Sequence, residues 1–144
     1  MTIAEKKQRL VEQLAGLKDA RERLAYVVEC GRQQPPLEAA LKAESTRVEG
    51  CLAQLWLVAS FANGKCYFRT DSESAVMKGV AALLCDFYSD QSPAEIVETD
   101  PTFLKQSGIT QHLTPNRRNG LTRIWETIRE FAAARLAETG GVTG

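Results

Sequence analysis

The chain has 144 residues, 44% hydrophobic and 25% charged, with 18 basic against 18 acidic side chains and a formal net charge of zero. That length suits one domain with one core, spanning residues 1–144 with 138–144 as a tail expected to fray, and the composition excludes a disordered or fibrous chain. The charge balance argues against holding nucleic acid by phosphate neutralisation, and no run approaches the roughly 20 apolar residues of a membrane helix.

The opening MTIAEKKQRLVEQL lacks the apolar stretch of a secretory signal, so the cytoplasm is the expected compartment and the cysteines are expected to be reduced. Thr2 and Glu5 form a capping box that starts a first helix, to about Leu17. Asp19 caps a second, with Leu24, Val27 and Val28 as its apolar stripe and Gly31 and Pro35-Pro36 as its end. Residues 37–47 are polar and alanine-rich, without a clear state. QLWLVASF at 54–61, then Asn63-Gly64, then KCYFRT at 65–70 is the pattern of a β-hairpin. In its second strand Cys66, Phe68 and Thr70 face one way and Lys65, Tyr67 and Arg69 the other.

Ser72 or Ser74 caps a helix to about Tyr88, with Val76, Val80, Leu83, Leu84 and Phe87 inward. Ser92-Pro93 with Glu95 opens a short helix through another capping box, and a turn near Pro101–Gln106 ends at Gly108. Thr114-Pro115 launches the last long helix, whose apolar positions Leu121, Ile124, Trp125, Ile128, Phe131, Ala132 and Leu136 keep helical spacing. The predicted class is α+β: a small antiparallel sheet packed against helices. Charge is uneven, with seven acidic residues against Lys78 from Asp71 to Asp100, and five arginines against three glutamates after His112. Solvated faces account for most of it, although such asymmetry can orient a partner.

Four cysteines stand at 30, 51, 66 and 85 with no CxxC and one histidine, His112, which makes a zinc site improbable. Cys30, Cys66 and Cys85 sit on or beside apolar faces and read as buried, inert thiols. Cys51 follows Gly50 at the mouth of a strand. The pattern leaves two readings open: a displayed nucleophile, or the first inward residue of the strand. His112 is the one candidate base for thiol catalysis, and Arg117 and Arg118 enter a helix N-terminus where the dipole does not favour cations.

Three segments in register go further: GCLAQLWLV at 50–58, TDSESAVMKGVAALL at 70–84 and TQHLTPNRRNGL at 110–121. With YVVECGRQQPPL at 26–37 they resemble the SufE family of sulfur-acceptor proteins, from the second helix almost to the C-terminus. Ala53, Leu55, Thr70, Cys30 and Asn116 depart from the family pattern. The resemblance implies an α+β fold shared with IscU-type scaffolds and Cys51 as the persulfide acceptor. Asp71, Lys78, Gly79, His112 and Arg117 stand at matching motif positions, and Gly50 serves as the hinge.

It also implies docking onto a SufS-like, PLP-dependent cysteine desulfurase. Sulfur then passes to a downstream iron–sulfur assembly scaffold, and no cofactor is needed in this chain. Nucleic acid and membrane are not expected partners, and the chain is expected as a monomer or weak homodimer. The rival readings are a cysteine-nucleophile transferase or hydrolase, and a cluster scaffold.

Overall fold

A computed structural model describes residues 1–51 and 53–143, and the side chains of all of these except His112 and residues 139–143. The elements in chain order are α1 (Ile3–Ala15), α2 (Ala20–Gln33), β1 (Leu55–Ala62), β2 (Lys65–Ser72), α3 (Ala75–Tyr88), α4 (Pro93–Glu98), α5 (Phe103–Gln106) and α6 (Pro115–Thr143). Single 3-10 turns occupy Ala39–Leu41, Glu44–Thr46 and Thr110–His112. The class is α+β, as the hydrophobic patterning predicts.

The sheet is a two-stranded antiparallel hairpin running from Leu55↔Ser72 to Ala62↔Lys65. Its turn is the two-residue Asn63-Gly64, with φ of 55° and 77°. Positive φ at both positions matches the right-handed twist of the flanking strands, and glycine and asparagine tolerate it best. Cys66, Phe68 and Thr70 are buried while Lys65 and Arg69 are exposed, so the alternation read from the sequence holds.

Helix α3 is the centre of the molecule. It touches α1, α2, β2 and α6, and it is buried almost all round, from Met77 to Tyr88, with Asp86 exposed. That explains a composition more apolar than one stripe requires. Ser74 is its N-cap, accepting from Met77 N–H at 3.2 Å. At the other end the Lys6 ammonium donates to the carbonyls of Asp86 and Ser89 at 2.8 and 2.7 Å. A cation there satisfies carbonyls that the helix leaves unpaired and complements its dipole.

Helix α2 crosses α3 closely. A Cβ on Gly79 would stand 2.1 Å from the carbonyl oxygen of Val27, and one on Gly31 would stand 2.8 Å from the nitrogen of Gly79. Two glycines therefore face each other where the helices meet. This corrects the role expected of Gly31: α2 runs on to Gln33, and the glycine is there for close approach rather than as a stop. It also turns the helix. Val27 is buried and Leu24 is 38% exposed, so the predicted stripe is displaced toward Tyr26, Val27 and Cys30.

The segment 37–47, left without a state by its composition, is tied down by Asp71. This buried carboxylate accepts the N–H groups of Leu37 and Ser72 at 3.0 and 2.9 Å. It also pairs with Lys42 at 3.2 Å and Lys78 at 3.4 Å. Burial pushes the Asp71 carboxyl up, but those hydrogen bonds and the two ammonium groups more than offset it and hold it below the usual carboxylate range.

Two smaller expectations are adjusted. At α4, Ser92 accepts from Glu95 N–H at 3.3 Å, and its hydroxyl donates to the Glu95 carboxylate at 3.0 Å. Glu95 thus bonds the cap hydroxyl, where the sequence predicts a bond to the cap N–H. On α6, Ile124, Ile128 and Ala132 are fully buried, while Leu136 is 38% exposed.

Candidate functional site

Cys51 lies on a loop pinched at its base. Val48 N–H donates to Leu55 O at 2.8 Å, and Arg47 bridges Trp56 as a short antiparallel pair. On the far side the Gln54 carbonyl accepts from Glu73 N–H at 3.1 Å and from the Ser72 hydroxyl at 2.6 Å. The glycine supplies the turn between these feet: Gly50 has φ of 86°, a left-handed conformation that costs a side-chain-bearing residue about 1–2 kcal/mol. Cys51 is half-buried. Leu52, the next residue, lies outside the described residues.

The turn rests on α6. Thr114 caps that helix, its hydroxyl accepting from Arg117 N–H at 3.3 Å. Asn119 donates its side-chain amide to Gly50 O at 3.0 Å. Gly120 makes room beneath the thiol: a Cβ there would stand 3.6 Å from Cys51 Sγ and 2.5 Å from Met77 Cε. Sulfur, methionine and helix backbone meet at this point, and a larger residue at 120 would require the Met77 methyl to swing aside.

Cys51 opens onto a cavity of about 270 Å³ that is also lined by Ala53, Ser74, Met77, Thr114, Asn116 and Arg117. Arg117 thus shares a cavity with Cys51, across 66 positions of sequence. Burial pushes the Cys51 thiol up, and the nearby Arg123 guanidinium partly offsets the shift. Arg123 was not singled out by the sequence reading. Its signal was its place one turn beyond Gly120 on the same helix face.

The other expected site residues are placed elsewhere. Asp71 and Lys78 form the ion pair that anchors residues 37–42, and Gly79 lies at the α2–α3 crossing. None of these three lines the thiol cavity. The backbone of His112 closes the 3-10 turn before α6, and its side chain lies outside the described residues. Arg118 donates to Leu113 O at 3.0 Å, tying the start of α6 to the preceding turn.

The remaining cysteines differ in setting. Cys66 and Cys85 are fully buried, and burial pushes both thiols up. Cys30 is half-buried, and burial together with the Asp86 carboxylate pushes its thiol to about 11. Among the described residues no group of three or more His, Cys, Asp or Glu is placed to hold a metal ion, and no helix is long and apolar enough to cross a membrane.

Fold and site together define a class: a small α+β domain that presents one cysteine on a glycine turn beside the arginines of its last helix. The family narrows it. The model of the SufE Fe-S metabolism associated domain matches residues 8–132, and the chain belongs to the SufE family. An uncharacterized SufE-like protein of Synechocystis sp. is 30% identical over 126 residues, covering 88% of this chain and 79% of that relative. In fold, the chain is similar to the solution structure of a hypothetical protein from Thermus thermophilus. That likeness has a TM-score of 0.75 at 21% identity, over 92% of this chain and 96% of the other.

Proposed function

We propose that this protein accepts persulfide sulfur from a PLP-dependent cysteine desulfurase onto Cys51, stimulates that desulfurase, and passes the sulfur on to iron–sulfur cluster assembly. The observation that carries the reading is the setting of Cys51, on a left-handed glycine turn at a cavity it shares with Arg117. Family membership supplies the association with Fe–S metabolism; the donor, the acceptor and the role of the thiol are the reading proposed here. The PLP belongs to the desulfurase.

The chemistry is thiol exchange. The Cys51 thiolate attacks the terminal sulfur of the desulfurase persulfide, and an S–S bond forms on Cys51 as the donor's S–S bond breaks. The electron pair leaves on the donor cysteine, which takes up the proton that Cys51 gave. Hydropersulfide and thiol therefore become thiol and hydropersulfide, with no oxidant or reductant. A persulfide left in water is open to oxidation, so a half-buried resting place beside a cavity protects the cargo. Burial also keeps resting Cys51 protonated, so reaction is favoured when the docked partner draws it out. Arg117 is proposed to steer the incoming persulfide or to favour the thiolate. The cavity walls of Ser74, Met77, Thr114, Asn116 and Arg117 do not make the convergent thiolate set of a cluster scaffold.

Desulfurase turnover tests this, measured with added wild-type protein and with Cys51→Ser, Arg117→Ala and Arg118→Ala. Stimulation should vanish for Cys51→Ser, fall for Arg117→Ala and persist for Arg118→Ala. Wild-type stimulation by Cys51→Ser contradicts the reading, and equal losses from the two arginine changes reduce the effect of Arg117 to bulk charge. Sulfide release by the isolated protein from a small-molecule donor would instead favour an enzyme.

A further inference from the structure

Arg123 and Asn119 lie outside the hydrophobic core. Both are exposed, and Arg123 has an ion pair with Glu126 on its own helix at 3.1 Å. Both nevertheless meet the loop at one residue. Asn119 holds the Gly50 carbonyl, and the Arg123 side chain lies across the Gly50 α-carbon. A Cβ on Gly50 would stand 2.8 Å from Arg123 Nε and 3.3 Å from its Cδ and Cγ. The two are four positions apart and so occupy one edge of α6, with Gly120 between them under the Cys51 sulfur.

We propose that Asn119 and Arg123 are positioning residues for Cys51: from α6 they hold the Gly50 turn, so that the thiol stays in its cavity beside a fixed positive charge. The proposal rests on Cys51 being the reacting thiol. It adds which contacts keep that thiol at rest. The loop is pinned on either side of the turn, at Val48 and at Gln54, and among the described residues the hydrogen bond from α6 to the Gly50–Cys51 turn is the one from the Asn119 side chain. A single solvent-exposed hydrogen bond is weak enough for a docking partner to replace.

Among the described residues, the charged groups at the thiol cavity come from α6. Arg117 lines the cavity and Arg123 offsets part of the upward push of burial, whereas α3 contributes Ser74 and Met77, which do not titrate. Opening the turn and removing the charge therefore have opposite signatures. Opening relieves burial, so the thiol reacts faster and its midpoint falls. Losing the charge while the stem stays in place raises the midpoint.

The test is the pH profile of iodoacetamide alkylation at Cys51, read by peptide mass on the full chain without a desulfurase. Asn119→Ala should react about threefold to tenfold faster than wild type near neutral pH, the shift allowed by one lost exposed hydrogen bond, with a lowered midpoint. Arg123→Met keeps a stem over Gly50 and should raise the midpoint. Arg123→Lys, with stem and charge, should match wild type, as should Arg118→Ala. Rates for Asn119→Ala at or below wild type overturn the proposal. An unmoved or lowered midpoint in Arg123→Met removes Arg123 from it. Loss of sulfur loading from a desulfurase, measured separately, bears on the carrier reading alone, so the two failures are distinguishable.

Discussion

Cys30-Gly31 and Gly50-Cys51 are both cysteine–glycine neighbours with half-buried thiols, yet they do opposite work. In the first pair the glycine matters as bare backbone. Gly31 keeps helical geometry within α2 and lets Gly79 of α3 approach to a distance no side chain could share. Its cysteine faces Tyr26 and Asp86, and burial with the Asp86 charge makes it a poor thiolate. In the second pair the glycine matters as a turn, with φ of 86°. Its cysteine, like Cys30, lines a cavity, but the charge that acts on it is a guanidinium in place of a carboxylate. The difference teaches that neighbouring charge separates two half-buried thiols: a carboxylate adds to the upward push of burial on Cys30, and a guanidinium opposes it on Cys51.

The contrast predicts where each pair is fragile. The largest effect on stability is expected from Gly79→Ala, because its Cβ would fall 2.1 Å from Val27 O, a backbone atom that cannot swing aside. The helices must part, at a cost of about 3 kcal/mol, the upper range for overpacking. Thermal unfolding should show a loss of about 2–4 °C for each kcal/mol. A melting temperature within a degree or so of wild type would mean that α2 and α3 do not pack as closely as the glycine pair implies.

A smaller effect separates the thiols themselves. Thiolate is the species that reacts, so the alkylation rate rises with pH until each thiol is ionised. Cys30, pushed to about 11, should keep gaining rate up to that pH. Cys51, raised less because Arg123 opposes its burial, should level off earlier and be the faster of the two at pH 8. Peptide-resolved alkylation across pH checks the order, and a faster Cys30 at pH 8 would break the comparison.

What the sequence made legible was local. The hairpin was readable because Asn63-Gly64 between alternating strands specifies its own turn. The caps at Thr2, Asp19 and Thr114 were readable because each acts within one helical turn. Cys51 was readable as a candidate from Gly50 and the strand behind it, and the family motifs placed Arg117, which lines its cavity. What was not legible depends on partners far along the chain. The exposed Leu24 follows from Gly31 meeting Gly79, 48 positions away, which rotates the inward face of α2. Asp71 could not be read as the anchor of residues 37–42, because Leu37 and Lys42 reach it only in the folded chain. Arg123 was invisible for the same reason: only the loop folding back onto α6 gives its charge a thiol to act on.

The central claim, that Cys51 is the residue that carries sulfur, is tested most directly by intact mass after incubation with a cysteine desulfurase and cysteine, followed by peptide mapping without reductant. The account predicts one added sulfur atom, confined to the peptide containing Cys51, and none on Cys51→Ser protein that melts at the wild-type temperature. Sulfur mapped to Cys30, Cys66 or Cys85, or loading undiminished in Cys51→Ser, would contradict it.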